Sequence, residues 1–456
     1  MRSRLEVRDP VHGFIYRQPN ERDVMDTGVF QRLRRLKQLA FANLVYPGAT
    51  HSRFEHSLGA FHLAGKIATA LDIDDYERDL IQLAALLHDI GHGPFSHVAE
   101  PILRKYADIE KLPADVKESK IHEVIGSQII KNNAELAKLI APKQRDQIIG
   151  LLSGTWGHSY FQEIVSGPID ADKQDYLLRD SLFSGVKYGV YDQERLRDTL
   201  VVYEDEDDEF LAISIDGIHA LEQFVLAKYY MTTQVYRHKI RLITDEMIAR
   251  GIDLGIEVDK IEWLKHLYSY DGSEDYVSEY LKWSDDRVVT EIVAPGTPSG
   301  YAKDIFERLY GRRLFKCIFD VDQNAFPDPT VRNFVFGGST EFYKPLEKAI
   351  AEQFGIDKNH VIAYMISFNS AAKTEAQVPV IHHYSEPTLF HDESALFKSV
   401  DQKIREQRFH IYAPVDFQDD KDKKKKIREF RDGILELIGE LADPQKHLAL
   451  EGDATK

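Results

Sequence analysis

The histidines of this chain are concentrated in one part of the sequence. Seven of the eighteen lie between His51 and His122, and three of those fall within HDIGHGPFSH (88–97). His88 and Asp89 close an apolar stretch with helical periodicity, and a Gly/Pro-rich turn follows them. An adjacent His–Asp pair at a helix end can direct an imidazole nitrogen and a carboxylate oxygen at one cation. The segment therefore predicts half of a metal site, with the remaining ligands supplied by other elements.

Two further candidate ligands lie near the starts of other predicted helices. His56 lies in HSRFEHSLG, and Asp172 lies in DADKQDYLLRD. Together with His88 and Asp89 they offer two imidazoles and two carboxylates. That set suits an octahedral divalent transition metal with open water positions better than a closed structural zinc site. Each histidine taken alone is more simply explained as a helix cap or a packed core residue. The complete set indicates a metal-dependent hydrolase of a phosphate ester, with Fe, Mn or a related ion expected.

The composition limits the class of protein. The chain has 456 residues, a formal net charge of −17 and a single cysteine, Cys317. An acidic surface repels the nucleic-acid backbone, so we expect no nucleic-acid partner, and a lone cysteine fits a reducing compartment. No apolar stretch approaches the length needed to cross a bilayer, and the N-terminus lacks the apolar core of a secretory signal. We therefore expect a cytoplasmic protein with no membrane partner.

The spacing of apolar residues predicts a mainly α protein with two domains. Residues 1–310 are expected to form a helical catalytic core that contains a small hairpin near 200–215. From residue 311 onward, β-rich runs alternate with amphipathic helices, which predicts a smaller C-terminal α+β domain over 311–456.

Three segments carry specific predictions about local structure. Residues 23–41 (DVMDTGVFQRLRRLKQLAF) and about 219–256 repeat apolar residues at the spacing of a helix. The run DFQDDKDKKKKIREF (416–430) mixes charges of both signs and favours a solvated loop that leads into a helix.

Several motifs together resemble a known family. They are DPVHG (9–13), DTGVFQRLRRLKQL (26–39), YPGATHSRFEHSLG (46–59), HDIGHGPFSH (88–97), IHE (121–123), DADKQDYLLRD (170–180), VYRHK (235–239), GRRLFK (311–316), SEPTLF (385–390) and RFHIYAP (408–414). In these stretches the chain resembles the HD-superfamily deoxynucleoside triphosphate triphosphohydrolases, including vertebrate members. The resemblance implies an HD helical core and cleavage of a dNTP at the α-phosphorus, which releases deoxynucleoside and intact triphosphate.

The resemblance assigns roles to the residues of the histidine-rich region. It implies that His56, His88, Asp89 and Asp172 bind the metal. It makes His97 the acid that protonates the departing 5′-oxygen, a role that suits histidine at neutral pH. His92 and His122 would bind the α-phosphate. Glu100 stands where vertebrate members have aspartate, and we expect it to orient His97.

The resemblance also implies a substrate pocket. Arg53, Lys173 and Lys228 would bind the phosphates, with an additional Mg or Mn as a second ion. Gln38 and Asp180 would contact the 3′-hydroxyl, Leu39 and Tyr176 would pack against C2′, and Tyr236 and Arg237 complete the pocket. Arg237 replaces a base-facing glutamine, which leaves the base preference open. Without the resemblance, the three cations are simply interpreted as members of ion pairs, and Leu39 and Tyr176 as helix core.

A second nucleotide site is implied for activation. Family members assemble into oligomers with effector sites between subunits, and the positions that read guanine match Asp26, Gln31 and Arg34. We expect a homotetramer activated by a dNTP such as dGTP, or by GTP. Leu5 and Arg8 depart from the family pattern, and the segment alone is equally consistent with a basic solvated helix.

Two rival hypotheses stay open for the function. The first is another HD-family nucleotide phosphohydrolase, such as a nucleotidase or a phosphodiesterase. The second is a nucleotide-sensing or nucleic-acid-binding protein that retains the pocket.

Overall fold

The described part of the chain is mainly α-helical. The computed structural model describes residues 5–112, 120–205, 208–337, 343–366, 374–400 and 407–442. The predicted fold class is confirmed, because helices dominate and a smaller sheet-containing region lies toward the C-terminus. Within these residues, no helix is both long and apolar enough to cross a membrane.

The elements follow one another along the chain with short connections. The helices are α1 (Pro19–Met25), α2 (Gly28–Gln31), α3 (Arg53–Ala70), α4 (Asp75–Leu87), α5 (Glu100–Tyr106), α6 (Ile121–Asn132), α7 (Ala134–Leu139), α8 (Pro142–Ser153), α9 (Ser159–Ser166), α10 (Ala171–Ser184), α11 (Gln193–Asp198), α12 (Ile218–Tyr230), α13 (Lys239–Glu257), α14 (Glu262–Tyr268), α15 (Glu274–Tyr280), α16 (Asp285–Val293), α17 (Tyr301–Tyr310), α18 (Pro329–Phe336), α19 (Lys344–Phe354), α20 (Phe390–Glu393), α21 (Ala395–Val400) and α22 (Asp420–Leu441). The strands are β1 (Leu5–Asp9), β2 (Gly13–Arg17), β3 (Leu200–Asp205), β4 (Asp208–Ser214), β5 (Lys316–Asp322), β6 (Ile362–Ile366), β7 (Pro379–Ile381), β8 (Thr388–Leu389) and β9 (Arg408–Ala413).

These elements form two compact units. The first comprises the described residues within 1–241, 260–297 and 371–399; the second comprises those within 242–259, 298–370 and 400–456. The sequence predicts a single boundary after residue 310, whereas the chain passes between the units several times.

In the first unit, α3 packs against both α4 and α10. The contact surface is apolar, since α3 buries Leu58 and Phe61 and α4 buries Ile81 and Leu87. Removing such side chains from water supplies most of the driving force for packing the helices together. These three helices carry the histidines and aspartates of the candidate metal site.

The predicted hairpin near 200–215 is present as β3 and β4, which pair antiparallel. Strand β4 also pairs in parallel with β7, with Ile213 opposite Val380, and β7 pairs antiparallel with β8. The sheet order is therefore β3-β4-β7-β8. This pairing explains why the segment around β7 belongs to the first unit, although the sequence predicts it in the C-terminal domain.

The second unit contains a three-stranded antiparallel sheet in the order β5-β9-β6. Its strands are rich in β-branched and aromatic residues, which favour extended backbone. Helices α19 and α22 pack with the sheet around a core that includes Ile318, Ile350, Phe409 and Ile434.

The predicted helix over 23–41 is broken. The Thr27 hydroxyl accepts a hydrogen bond from the backbone N–H of Phe30 and so starts α2 as a new, short helix. Residues Arg32–Arg35 continue as a single 3₁₀ turn, after which the backbone at Leu36 is extended. The apolar spacing matched a helix, but the local cap divides the segment.

The other two local predictions also need correction. The predicted helix over 219–256 is interrupted, because α12 leads into a π-helical turn (Met231–Tyr236) before α13 begins. The charged run 416–430 lies largely within α22 rather than in a loop. Its helix begins because the Asp419 carboxylate caps the free backbone N–H groups of the first turn, and lysine favours helical backbone.

Candidate metal centre

Three helices bring the candidate ligands to one point. Helix α3 begins at a capping box in which Ser52 and Glu55 bind each other's backbone, and this places His56 in the first turns. Helix α10 begins where the Asp170 carboxylate accepts the backbone N–H of Lys173, so Asp172 lies in its first turn. Helix α4 ends at His88.

The ligand atoms of His56, His88 and Asp172 all lie within 4.8 Å of one another. The Asp172 Oδ1 atom is 3.0 Å from His56 Nε2 and 3.8 Å from His88 Nε2. Asp89 faces the same point, because its Oδ1 lies 3.3 Å from His88 Nε2 and its Oδ2 lies 3.8 Å from His56 Nε2. We call these four residues the metal centre.

Each of the two imidazoles is oriented by a hydrogen bond at its Nδ1 atom. The Nδ1 atom of His56 is 2.8 Å from a carboxylate oxygen of Asp175, and that of His88 is 2.8 Å from the carbonyl oxygen of Ala85. Metal-binding histidines commonly hydrogen-bond in this way, which directs the other nitrogen at the ion. The buried Nε2 of His88 has no hydrogen-bond partner among the described residues. The donor set therefore fits a divalent transition metal.

The carboxylates around His56 favour positive charge at the metal centre. Burial alone would lower the pKa of His56, but hydrogen bonds and charge from Asp172 and Asp175 raise it to about 10. Burial would raise the pKa of Asp172, whereas His56 and His88 lower it to about 2. A divalent cation would interact with the same carboxylates, and so metal binding is expected to compete with protonation of His56.

A buried network connects the metal centre to the β1–β2 hairpin. Besides His56, the Asp175 carboxylate binds His12 Nε2 at 2.7 Å and the guanidinium of Arg179 at 2.8 and 2.9 Å. Arg179 also donates to Asp9 at 2.9 Å. A side chain at Gly59 would overlap Asp175, which explains the glycine in α3. The sequence prediction gave no role to these residues, although the i, i+4 spacing of Asp175 and Arg179 is a recognisable signal.

Arg53 lies beside the metal centre. Its Nη1 donates to Asp89 Oδ2 at 2.5 Å, and its Nε donates to Ser96 Oγ at 2.7 Å. The remaining nitrogen, Nη2, is buried and has no hydrogen-bond partner within the described part of the chain. Burial raises the pKa of Asp89, but Arg53 and the neighbouring histidines hold it well below its usual value. Arg53 therefore keeps a donor available for an anion.

The three predicted active-site histidines lie against one another. The rings of His92 and His122 stack with centroids 3.7 Å apart, and the ring of His97 stands edge-on to His92 at 4.7 Å. Burial lowers the pKa of His92 and of His97 well below the usual value, and the charges of Arg53 and His122 lower both further. The negative charge of a bound phosphate would favour protonation of His97.

Glu100 occupies a different position from the one expected. Its Oε2 lies 2.8 Å from His122 Nδ1, and its Oε1 accepts the backbone N–H of Ile121 at 2.5 Å. The expectation that Glu100 orients His97 is therefore wrong, because the first turn of α5 directs its longer side chain to the start of α6. Glu100 orients His122 instead.

The predicted sugar-binding residues also lie together. The side chain of Leu39 belongs to a small apolar cluster with Tyr236, and the ring of Tyr176 is edge-on to that of Tyr236 at 6.1 Å. The Asp180 carboxylate accepts the Tyr236 hydroxyl at 2.7 Å and lies 2.7 Å from His51 Nε2. Sequence reasoning missed His51, which precedes His56 in the same motif.

Two other residues of the predicted substrate pocket are Gln38 and Arg237. The Oε1 atom of Gln38 is buried without a hydrogen-bond partner in the described ranges. Arg237 follows the π-helical turn and is half-buried.

The two lysines expected to bind phosphates are paired with carboxylates. Lys173 Nζ donates to Asp170 at 2.6 Å and to the carbonyl of Gly167 at 2.7 Å. Lys228 Nζ donates to Glu375 Oε1 at 2.5 Å. The ion pairs that the sequence left as an alternative are therefore present. We call Lys173, Lys228, Asp170 and Glu375 the lysine cluster.

The predicted effector residues lie near the start of α2. Gln31 accepts a hydrogen bond from Arg34 at 2.7 Å and donates one to the carbonyl of Met25 at 2.7 Å. The Arg34 guanidinium covers the Phe54 ring at 3.5 Å, while Asp26 is exposed. On β1, the Arg8 guanidinium lies 4.1 Å from the Phe14 ring.

Comparisons with known proteins agree with this geometry. The chain matches the family model described as HD domain over residues 53–180 and the one described as HD associated region over 191–431. It is 30% identical to the uncharacterized protein MJ1154 of Methanocaldococcus jannaschii, over 95% of this chain and 84% of that protein. It is also 30% identical to the human deoxynucleoside triphosphate triphosphohydrolase SAMHD1, over 68% of this chain and 54% of that protein.

A solved structure extends the similarity to the fold. The phosphohydrolase BT4208 from Bacteroides thetaiotaomicron superimposes with a TM-score of 0.71 at 26% identity, and the match covers 90% of this chain and 99% of that one. The residues matched by the HD domain model include every member of the metal centre.

Proposed function

We propose that this chain, which belongs to the HD-domain family of nucleotide phosphohydrolases, is a metal-dependent deoxynucleoside triphosphate triphosphohydrolase. The proposal depends on one observation, that the residues of the metal centre come together beside Arg53. The buried Nη2 of Arg53 keeps a hydrogen-bond donor for a phosphate oxygen. Similarity to proteins named as dNTP triphosphohydrolases supports the substrate class.

The metal centre would hold a divalent Fe, Mn, Zn or Ni ion. Such an ion supplies a Lewis acid and a water that is activated near neutral pH. An additional Mg or Mn would accompany the substrate phosphates. Asp175 and Ala85 hold the two imidazoles in the orientation that binding requires.

The histidines and Arg53 act on the α-phosphate. Arg53 binds a phosphate oxygen through Nη2, and His92 with His122 binds the same group. Water adds to the α-phosphorus, and the bond from phosphorus to the 5′-oxygen breaks. His97 gives its proton to that oxygen, so that the deoxynucleoside leaves as a neutral alcohol and triphosphate remains. Glu100 acts as a positioning residue, because its contact with His122 fixes that ring.

The sugar is selected by the pocket beside Asp180. Asp180 and Gln38 bind the 3′-hydroxyl, and Leu39 and Tyr176 pack against C2′. The hydrogen bonds of Tyr236 and His51 to Asp180 support this assignment, since they hold its carboxylate still. A rigid apolar wall is needed because a loose one discriminates only weakly against an added hydroxyl.

The proposal includes activation by a nucleotide. A dNTP such as dGTP, or GTP, would bind near Asp26, Gln31 and Arg34 at an interface within a homotetramer in the cytoplasm. The exposed guanidinium of Arg34 and its contact with Gln31 support this part, because they leave polar edges at the surface.

Product analysis tests the proposed reaction. The protein, loaded with Mn²⁺, is incubated with each dNTP, with and without GTP or dGTP, and the products are separated by anion-exchange chromatography. Deoxynucleoside and triphosphate are expected. Release of dNDP with phosphate, or of dNMP with pyrophosphate, would contradict the reaction and favour another HD-family phosphohydrolase.

A further inference from the structure

Lys228, one of the lysines expected to bind phosphates, is paired with a carboxylate of the chain itself, that of Glu375. Glu375 is fully buried, and its Oε1 lies 2.5 Å from Lys228 Nζ. Its Oε2 accepts a hydrogen bond from the Thr374 hydroxyl at 3.1 Å. A buried carboxylate persists only where it is paired and hydrogen-bonded, and Glu375 satisfies both conditions through these two residues.

The fold holds Glu375 at this place. It begins a short 3₁₀ turn (Glu375–Gln377) that leads directly into β7, and the Val378 N–H donates to the Glu375 carbonyl at 3.1 Å. The Phe390 N–H in turn donates to the Val378 carbonyl at 2.9 Å. Because β7 pairs with both β4 and β8, the turn is tied to the four-stranded sheet.

The helix that carries Lys228 is linked to the helix that carries Asp172. Helix α12 continues into the π-helical turn, and the Tyr236 ring of that turn lies 6.1 Å from the Tyr176 ring on α10. Helix α10 also carries Lys173, the other lysine expected to bind phosphates. The Lys228–Glu375 pair therefore belongs to the part of the unit that contains the candidate pocket.

We propose that Glu375 is an internal competitor for the terminal phosphates of the substrate and lowers the affinity of the pocket for polyphosphate chains. A polyphosphate that reaches Lys228 must displace the carboxylate or bind beside its negative charge, and either route weakens binding. Glu375 is thereby a specificity-determining residue, because a ligand too short to reach Lys228 does not meet it. The placement of the substrate phosphates at Lys228 comes from the family resemblance, and the inference therefore rests on the proposed function.

The first test measures binding without turnover. Inorganic tripolyphosphate is titrated calorimetrically into the Mn²⁺-loaded wild-type protein and into Glu375→Gln. The variant removes the charge and keeps the shape, so we expect binding to tighten about tenfold, the scale of one charge-assisted hydrogen bond. Orthophosphate serves as the short ligand, and its affinity is expected to stay the same. Unchanged or weaker tripolyphosphate binding to a folded Glu375→Gln protein would overturn the inference.

Two further variants control the comparison. Glu347→Gln removes another buried carboxylate that pairs with an arginine, Arg250 at 2.5 Å, in the second unit, and it should leave tripolyphosphate affinity unchanged. In a Lys228→Gln background, Glu375→Gln should no longer tighten binding, because the cation for which the two anions compete is absent. If Glu375→Gln does not fold, Glu375→Asp, whose shorter side chain loosens the contact with Lys228, is judged by the same criterion.

The kinetic consequence separates this inference from the proposed function. With dNTP, Glu375→Gln should lower KM and leave kcat nearly unchanged. If no dNTP is cleaved by any variant while tripolyphosphate still binds more tightly to Glu375→Gln, the proposed function fails and the competition by Glu375 stands. If dNTPs are cleaved but neither KM nor tripolyphosphate affinity changes, the inference about Glu375 fails and the function stands.

Discussion

The metal centre and the lysine cluster adjoin each other on α10 but leave different atoms available. At the metal centre, hydrogen bonds to Nδ1 fix the rings of His56 and His88, and the Nε2 of His88 has no hydrogen-bond partner among the described residues. In the lysine cluster, Lys173 and Lys228 already donate to buried carboxylates of the chain.

The metal centre and the lysine cluster differ in the interactions that a ligand must replace when it binds. A cation at the metal centre meets carboxylates and imidazole nitrogens that already face one point, whereas an anion at the lysine cluster must separate existing ion pairs. Removing one member of a buried pair leaves the other charge unsatisfied in a medium of low polarity. Metal binding is therefore expected to be largely preorganised, while phosphate binding is expected to be opposed by the chain's own carboxylates.

The largest effect is expected from removing a metal ligand. Asp172→Ala should abolish stoichiometric metal binding and reduce kcat more than about 10³-fold, since the ion supplies several kcal/mol and each 1.4 kcal/mol is about tenfold in rate. Metal content is measured by mass spectrometry beside turnover. Asp275→Ala, an exposed aspartate on α15, is the matched control. Full activity in a metal-free Asp172→Ala protein would show that the reaction uses another site.

A smaller effect is expected from substituting Asp175, which hydrogen-bonds to His56. Asp175→Asn keeps the shape of the side chain but weakens the contacts with His12, His56 and Arg179, and it should lower Mn²⁺ affinity about 10- to 100-fold. The readout is a metal titration followed by fluorescence, with kcat measured at saturating Mn²⁺. If Asp175 only positions His56, saturating metal should restore most of kcat. Unchanged Mn²⁺ affinity would mean that the metal centre does not depend on the buried network.

In the lysine cluster, the expected effect is on stability. Lys228→Gln leaves the fully buried Glu375 without its cation, and we expect a loss of roughly 3 kcal/mol, with a Tm lower by several degrees. The double variant Lys228→Gln/Glu375→Gln should recover most of this loss, because both charges are removed together. The melting temperatures of both variants are measured by thermal denaturation. Equal melting temperatures for Lys228→Gln and the wild type would show that the pair contributes little.

The sequence was most informative about the metal centre. His56, His88, Asp89 and Asp172 were all placed near helix ends, and α3, α4 and α10 bring them together there. Helix ends can be predicted from the sequence because capping residues and Gly/Pro turns mark them locally. The residues behind the ligands, such as Asp175, were not identified, because a role in orienting His56 depends on contacts between helices that no local spacing reveals.

Other features depended on pairings that are distant in sequence. Glu375 could not be associated with Lys228 from the sequence, since 147 positions separate them and only the addition of β7 to β4 brings the turn to α12. The same pairing moved the segment around β7 out of the predicted C-terminal domain. The orientation of Glu100 was wrongly predicted for a related reason, because its partners Ile121 and His122 lie 21 and 22 positions away at the start of α6.

An effect of at most similar size is expected from Asp285, a buried carboxylate that belongs to neither the metal centre nor the lysine cluster. Asp285 is 1% exposed and accepts the backbone N–H groups of Phe95 and Lys37, each at 2.8 Å, so it supports the loop that carries His92 and His97. Burial raises its pKa to about 6, although the two backbone hydrogen bonds act in the opposite direction. Unlike Glu375, it is held by peptide dipoles rather than by a lysine side chain.

The pH dependence follows from that raised pKa. Between about pH 4 and pH 6 the folded protein holds a proton on Asp285 that the unfolded chain has released, so this contribution to stability is complete at low pH and is lost as the pH rises. For a shift of about 2 pH units the loss is at most roughly 3 kcal/mol. Asp285→Asn does not titrate, so its melting temperature relative to the wild type should rise from pH 4 to pH 6.5. A difference in Tm that stays constant over this range would show that Asp285 remains ionised, and that backbone donors stabilise a buried charge as effectively as Lys228 stabilises Glu375.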